Sequence, residues 1–226
     1  MDAPKEQIFG NKIVIQGDEF HHIKNVLRKR CGDIIFVTDG AGNRFKAKII
    51  DIKTSALTAY VLKTERFKDK NSMELSLAFV PLKGARNNYI IEKGTELGVR
   101  IFFLFLSKFS VIREISSQKL ARLRKIAGSA MLQSQRFYYP EFIVKQSLLE
   151  LVDEFENFDL ILVADIKGEA KIPVGRRRVL YIVGPEGGFD ENELKMLTKH
   201  QGVLISLGMN RPPTILLFID SNRNSG

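Results

Sequence analysis

Residues 181–193 read YIVGPEGGFDENE. An apolar run enters a loop with glycines at 184, 187 and 188, and Asp190, Glu191 and Glu193 crowd the start of the next segment. Glycines at the carboxyl end of a buried strand often let bare backbone approach a ligand. Phosphate at a helix N-terminus is the obvious ligand for such a turn. The residues oppose it. The loop matches neither G-x-G-x-x-G nor G-x-x-x-x-G-K-[ST], and no lysine follows to meet a phosphate. Asp190 and Glu193 form an acidic capping box, D-x-x-E, which spends the donors a phosphate would need. Glu186 adds a further negative charge. A neutral or cationic ligand fits better, and S-adenosylmethionine, an adenosine joined to a positive sulfonium, has that chemistry. A tight strand-to-helix turn with no ligand satisfies the same residues, and the motif alone leaves both readings open.

The elements that position this loop divide into two rhythms. From Lys12 to Thr64 short β segments dominate: residues 13–15, 33–39, 45–52 and 57–62, separated by Gly-Asp and Asp-Gly turns. Strands at this spacing imply a small antiparallel barrel. Residues 19–30, EFHHIKNVLRKR, read as one helix with Phe20, Ile23 and Leu27 on its apolar face. Residues 65–72 are almost wholly polar and read as a linker. Beyond them, continuous apolar strands (75–81, 99–106, 157–165, 179–183, 203–207) alternate with helices, among them 87–98, closed by Gly98, and a long one from about Ser117 to Arg136. That alternation means a parallel sheet covered on both faces. Two domains follow: residues 1–66, a β barrel, and 73–226, an α/β unit.

The 226 residues carry Lys+Arg 35 against Asp+Glu 26, a formal charge of +9. An anionic partner is favoured, nucleic acid first among them. Lys24, Arg28, Lys29 and Arg30 crowd one helix and its end, a patch suited to RNA phosphates. Arg122, Arg124 and Lys125 of the long helix are the alternative basic stripe. One cysteine, Cys31, excludes an intramolecular disulfide and a cysteine zinc cluster, and its expected role is that of a small buried side chain. His21, His22 and His200 lack metal-site spacing, so no metal is expected. No apolar run is long enough for a bilayer, so a cytoplasmic protein is expected, with no membrane partner. Lys93 and Glu96 suit a helix ion pair, and the FFLFL run suits a buried strand.

The glycine loop and its acidic helix start resemble the RsmE family of 16S rRNA uridine-N3 methyltransferases, of the knotted SPOUT superfamily. His21-His22-Ile23, Val26-Leu27-Arg28, Gly32-Asp33 and Asp39-Gly40 are similar to that family's barrel signature. Lys83-Gly84, Arg86 and the run Lys93 to Val99 resemble its KG-x-R…K-x-TELGV segment. Ala130, Gln133, Ser134, Arg136 and Pro140 resemble its A-x-x-QS-x-R…P segment, and Leu207-Gly208 the LG before its last ligand loop. The resemblance runs from about residue 12 to 208. It implies a PUA-like barrel followed by an α/β trefoil knot, an exception to the rule against knotted chains. It further implies S-adenosylmethionine as cofactor, held by Val183, Gly184, Pro185, Glu186, Gly187, Gly188, Leu207 and Gly208. The substrate would be 16S ribosomal RNA or the small ribosomal subunit, and the enzyme a homodimer. Arg86 and Arg136 would position the uridine and stabilise charge on it, with Gln133 and Arg136 three apart on one helical side. No residue presents itself as the general base.

The chain departs from the family pattern in two places. The start, MDAPKEQIF, lacks an Arg-Phe-Phe-like stretch, and MNRPPTILL follows Gly208 where RILR-x-ETA is the family's rule. Two other functions therefore stay open: an RNA-binding module without a working cofactor site, and a methyltransferase of this superfamily acting on another RNA.

Overall fold

Alternation of buried and exposed residues builds the first sheet, and unbroken burial builds the second. The computed structural model describes residues 7–67, 73–169 and 177–206. The chain clusters into two units: residues 1–70 with 131–139, and residues 71–130 with 140–226.

In the first unit, β1 (Ile8–Phe9), β2 (Lys12–Gln16), β3 (Ile34–Thr38), β4 (Asn43–Ile52) and β5 (Ala56–Arg66) form one antiparallel sheet in the order β1-β2-β5-β4-β3. Side chains on successive strand residues face opposite sides. Ile13, Ile15, Ile35, Val37, Ala47, Ile49, Leu57 and Ala59 accordingly form one buried face, closed over by Phe20 and Ile23. The helix that carries those two residues is shorter than the sequence suggests. α1 (Gly17–His21) runs into a single π-helical turn, His22–Val26, where the Leu27 N–H donates to the His22 carbonyl at 3.0 Å. Arg28 then adopts φ 49°, which ends the helix. Leu27 is exposed rather than part of the apolar face, and Arg28, Lys29 and Arg30 lie beyond the helix. Cys31 is also exposed, its Sγ–H directed at the Ile50 carbonyl at 3.2 Å.

The polar stretch starting at Glu65 is not all linker. β5 continues to Arg66, Glu65 pairs with Arg44, and the Phe67 ring stacks on Phe137 at 3.9 Å. Arg44 also lies over the Phe36, Phe67 and Phe137 rings at 5.0–5.7 Å, which ties residues 131–139 into this unit.

In the second unit, six parallel strands stand in the order β11-β9-β10-β6-β7-β8: β6 (Glu74–Phe79), β7 (Ile101–Phe105), β8 (Glu141–Lys145), β9 (Leu160–Glu169), β10 (Arg178–Val183) and β11 (Gly202–Ile205). β6, β7 and β10 are buried along almost their whole length, as a parallel sheet covered on both faces requires. Phe103, Phe105, Leu180 and Ile182 pack with Leu148 and Leu151 of α4 (Leu148–Val152) and Leu197 of α5 (Glu191–Lys199). Each such side chain contributes about 1.5–3 kcal/mol by leaving water. The FFLFL run is core, as its sequence implies.

α2 (Arg86–Leu97) ends on Gly98 at φ 93°, whose N–H reaches the Thr95 carbonyl while Val99 reaches Gly94. α3 (Ser117–Gln133) ends the same way without glycine. Gln135 takes φ 54°, its N–H bonds to the Leu132 carbonyl, and the Arg136 N–H bonds to the Met131 carbonyl at 3.0 Å. Arg136 has therefore left the helix, and it shares no helical side with Gln133. The apolar stripe of α3 is as expected, with Leu123, Ala127 and Ala130 buried.

Candidate active site

Strands β6 and β10 are neighbours, but the chain leaves them in opposite directions: from β6 to β7 on one side, and from β10 past β9 to β11 on the other. That reversal is where open parallel sheets bind ligands, because the loops leaving the two strands separate and leave a crevice. The strand ends are still tied, the Val80 N–H donating to the Val183 carbonyl at 3.3 Å. The loops that leave here are residues 80–85 after β6 and residues 184–190 after β10.

The second loop carries the glycines. Its glycines differ in what surrounds them. A Cβ on Gly184 would lie 2.9 Å from the Phe189 ring, so this glycine exists for packing. Phe189 is buried and stacks against Phe105 at 6.3 Å, which anchors the loop to the core. Among the described residues nothing lies within 4 Å of a Cβ on Gly187 or Gly188, and Gly188 needs its φ of 77°. Backbone at these two positions is bare and reachable. This open cradle is what a ligand read by main-chain groups requires, so the residues fit the adenosine-and-sulfonium ligand inferred from their chemistry.

The acidic rim is accounted for residue by residue. The Glu193 N–H donates to Asp190 at 2.7 Å and the Asp190 N–H to Glu193 Oε2 at 3.0 Å, the capping box expected of D-x-x-E. Glu193 Oε1 also accepts the Lys108 N–H at 2.9 Å, and the Lys108 ammonium reaches Asp190 at 2.8 Å. The Lys108 ammonium, with the helix N–H groups, holds the Asp190 carboxyl below its ordinary range, and Asp190 in turn raises Lys108. These carboxylates are thus committed to the helix and to the loop after β7. Sequence reasoning missed the Lys108 anchor, since no local pattern links residues 82 apart.

Glu186 is committed too. It forms an ion pair with the Arg86 guanidinium, joining the first turn of α2 to the glycine loop. Two residues singled out for different roles are therefore one unit. Among the described residues Glu186 is the only partner of that guanidinium, so the rest of its donor fork faces solvent. Asn87 shapes the loop before it, with its side chain accepting from the Leu82 N–H at 2.8 Å and donating to the Leu82 carbonyl at 2.6 Å.

Lys93 pairs with Glu96 at 2.8 Å and also with Glu92 at 2.9 Å, the helix ion pair its spacing suggests with a second carboxylate added. Arg136 belongs to the segment grouped with the first unit. Lys24, Arg28 and Arg30 are exposed there, Lys24 resting over the Phe20 ring at 5.3 Å. Leu207 and Gly208, and the departure from the family pattern after them, lie outside the described residues. No group of ligating side chains able to hold a metal occurs among the described residues, and none of their helices is long and apolar enough to cross a membrane.

A parallel sheet with a bare glycine turn at its reversal point is the geometry of a ligand site. Residues 69–212 match the family of RNA methyltransferase domains, and residues 15–60 match the RNA methyltransferase PUA domain. The protein is a member of the RNA methyltransferase domain family. It is 31% identical to ribosomal RNA small subunit methyltransferase E of Bacillus subtilis over 209 residues, covering 86% of this chain and 81% of that protein. The Rickettsia conorii protein of the same name is 28% identical over 88% of this chain and 83% of its own length. Within the class, the chain belongs to the ribosomal RNA small subunit methyltransferase E family. The solved structure of the Neisseria gonorrhoeae protein of that name, bound to S-adenosyl methionine, superposes with a TM-score of 0.86 at 23% identity, covering 98% of this chain and 93% of that one, and so shares its fold.

Proposed function

We propose that the protein transfers the methyl group of S-adenosylmethionine to N3 of a uridine in 16S ribosomal RNA, in the cytoplasm and as a homodimer. The observation that carries this reading is the open cradle at Gly187 and Gly188, set where β6 and β10 diverge. When bound, the cofactor supplies an electrophilic methyl group on a positive sulfur. The chain's residues do the rest. Val183, Gly184 and Pro185 bring the backbone to the ligand, Gly187 and Gly188 admit it without a side chain in the way, and Glu186 holds Arg86 over the loop. Leu207 and Gly208 are assigned to the cofactor by the family motif alone.

N3 of uridine carries a proton at neutral pH, and its loss leaves negative charge shared with O2 and O4. The free donors of Arg86 are suited to that charge, and Arg136 is assigned to the same task from its motif. Holding N3 against the methyl carbon supplies much of the remaining acceleration. The first unit serves as the RNA-binding domain: residues 1–66 as a PUA-like barrel, with Lys24, Arg28, Lys29 and Arg30 on phosphates. Residues 73–226 serve as the catalytic domain, with the trefoil knot that the family resemblance implies.

Purified protein incubated with S-adenosylmethionine and 16S RNA from a strain lacking the gene tests this reading. Nucleoside mass spectrometry should find 3-methyluridine in the RNA. RNA that is bound but never methylated would favour the RNA-binding module; methylation confined to transfer RNA would favour another target.

A further inference from the structure

The second unit contains a cleft that the glycine loop does not line. It has a volume of about 480 Å³, within the roughly 300–1,000 Å³ that holds a small ligand. Its walls are the loop after β6 (Lys83, Gly84), the first turn of α2 (Asn88) and the first turns of α3 (Gln118, Lys119, Arg122).

The cleft gathers three cations and no carboxylate. Arg86, Lys93, Lys108, Lys145 and Arg178 each have a carboxylate partner. Among the described residues Lys83, Lys119 and Arg122 have none, and no carboxylate lines the cleft. Lys119 and Arg122 stand three apart on α3 and so project from one side of it. The Lys119 ammonium is partly buried and meets only the Leu82 carbonyl, at a long 3.4 Å. Burial lowers its pKa, a cost that an anion in the cleft would offset. α2 adds to the positive field, since no side chain caps its start and no acid occupies its first turn.

Three cations without carboxylate partners around one concavity call for an anion with several acceptor oxygens. We infer that this cleft seats a backbone phosphate of the RNA substrate, next to the nucleotide being methylated. The loop that supplies Lys83 also leads directly into Arg86, so one segment touches both the phosphate and the reacting base. Asn88 and Gln118 offer neutral donors suited to ribose and phosphate oxygens. This role rests on the reading of the protein as an RNA methyltransferase and adds a positioning site to it.

The test uses the full chain and 16S RNA from a strain lacking the gene, with Lys119→Gln, Arg122→Gln, their double variant and Lys119→Arg. RNA affinity is measured across a salt series, and methylation as kcat and KM. Each glutamine substitution should flatten the salt slope by somewhat less than one unit and raise KM about tenfold. The kcat at saturating RNA and the affinity for S-adenosylhomocysteine should stay within about twofold of wild type. Lys119→Arg should retain most of the affinity, because a positive charge remains. A double variant with wild-type salt slope and KM would overturn the site. A double variant that also loses S-adenosylhomocysteine binding would overturn it too, by making these residues structural. Failure of the wild-type protein to methylate 16S RNA would instead sink the functional reading, while the binding slopes still decide the cleft.

Discussion

Replacing Gly187 with alanine separates a ligand cradle from an idle turn. Among the described residues the added methyl meets nothing within 4 Å, and the backbone at 187 is not in the left-handed region. Folding should therefore change by no more than about 0.5 kcal/mol. A ligand packed on that backbone would find the methyl inside its contact distance. Overpacking of one methyl costs about 1–3 kcal/mol, which is a loss of roughly 5- to 150-fold in affinity. Gly184→Ala is the control with the opposite signature. Its methyl would sit 2.9 Å from the buried Phe189 ring, so destabilisation of about 1–3 kcal/mol should precede any effect on binding. Denaturant unfolding gives the first quantity and calorimetry with S-adenosylhomocysteine the second. If Gly187→Ala binds that ligand as tightly as wild type, the cradle argument is wrong and the glycines only shape a turn.

Arg86→Ala should lower kcat by about 10²- to 10³-fold, while stability shifts by less than about 1 kcal/mol because both partners of the Arg86–Glu186 pair are mostly exposed; a kcat within twofold of wild type would refute its role. Arg28→Ala with Lys29→Ala should flatten the salt dependence of RNA binding by up to about two units and leave S-adenosylhomocysteine affinity unchanged, and an unaltered slope would leave that patch a solvated surface. The Asp190 carboxyl, held below its ordinary value near 3.8, adds stability that is present above that value and disappears as pH falls through its lower folded value. Acid unfolding of wild type should therefore show a loss below about pH 4 that Asp190→Asn has already incurred at pH 7; superimposable acid profiles would count against the capping assignment. Light scattering should return twice the 25.7 kDa chain mass, and a single-chain mass at micromolar concentration would contradict the proposed dimer.

Local chemistry made much of this molecule legible. Asp190 and Glu193 announced their capping box because both partners lie within one helical turn. β6, β7 and β10 were readable because both their faces are buried, and Gly98 marked the end of α2 because its left-handed conformation closes that helix without strain. Elements that depend on distant partners were not readable. β8 is five residues long, only Phe142 in it is buried, and its place in the sheet comes from pairing with β7. The π-helical turn at His22–Val26 left Arg28, Lys29 and Arg30 outside the helix, and no local residue pattern signals such a turn. Arg136 was placed on the helix because glycine is the usual terminator, whereas here Gln135 accepts the left-handed conformation. At the site itself, the Arg86–Glu186 and Lys108–Asp190 pairs join loops 100 and 82 residues apart, which only the fold brings together.

The measurement that bears most directly on the central claim is nucleoside-resolved mass spectrometry of 16S ribosomal RNA from a strain lacking the gene. One uridine should lose its N3-methyl group, and a plasmid carrying the wild-type gene should restore it, whereas one carrying the Arg136→Ala variant should not. An unchanged 16S methylation profile in the deletion strain would contradict the account.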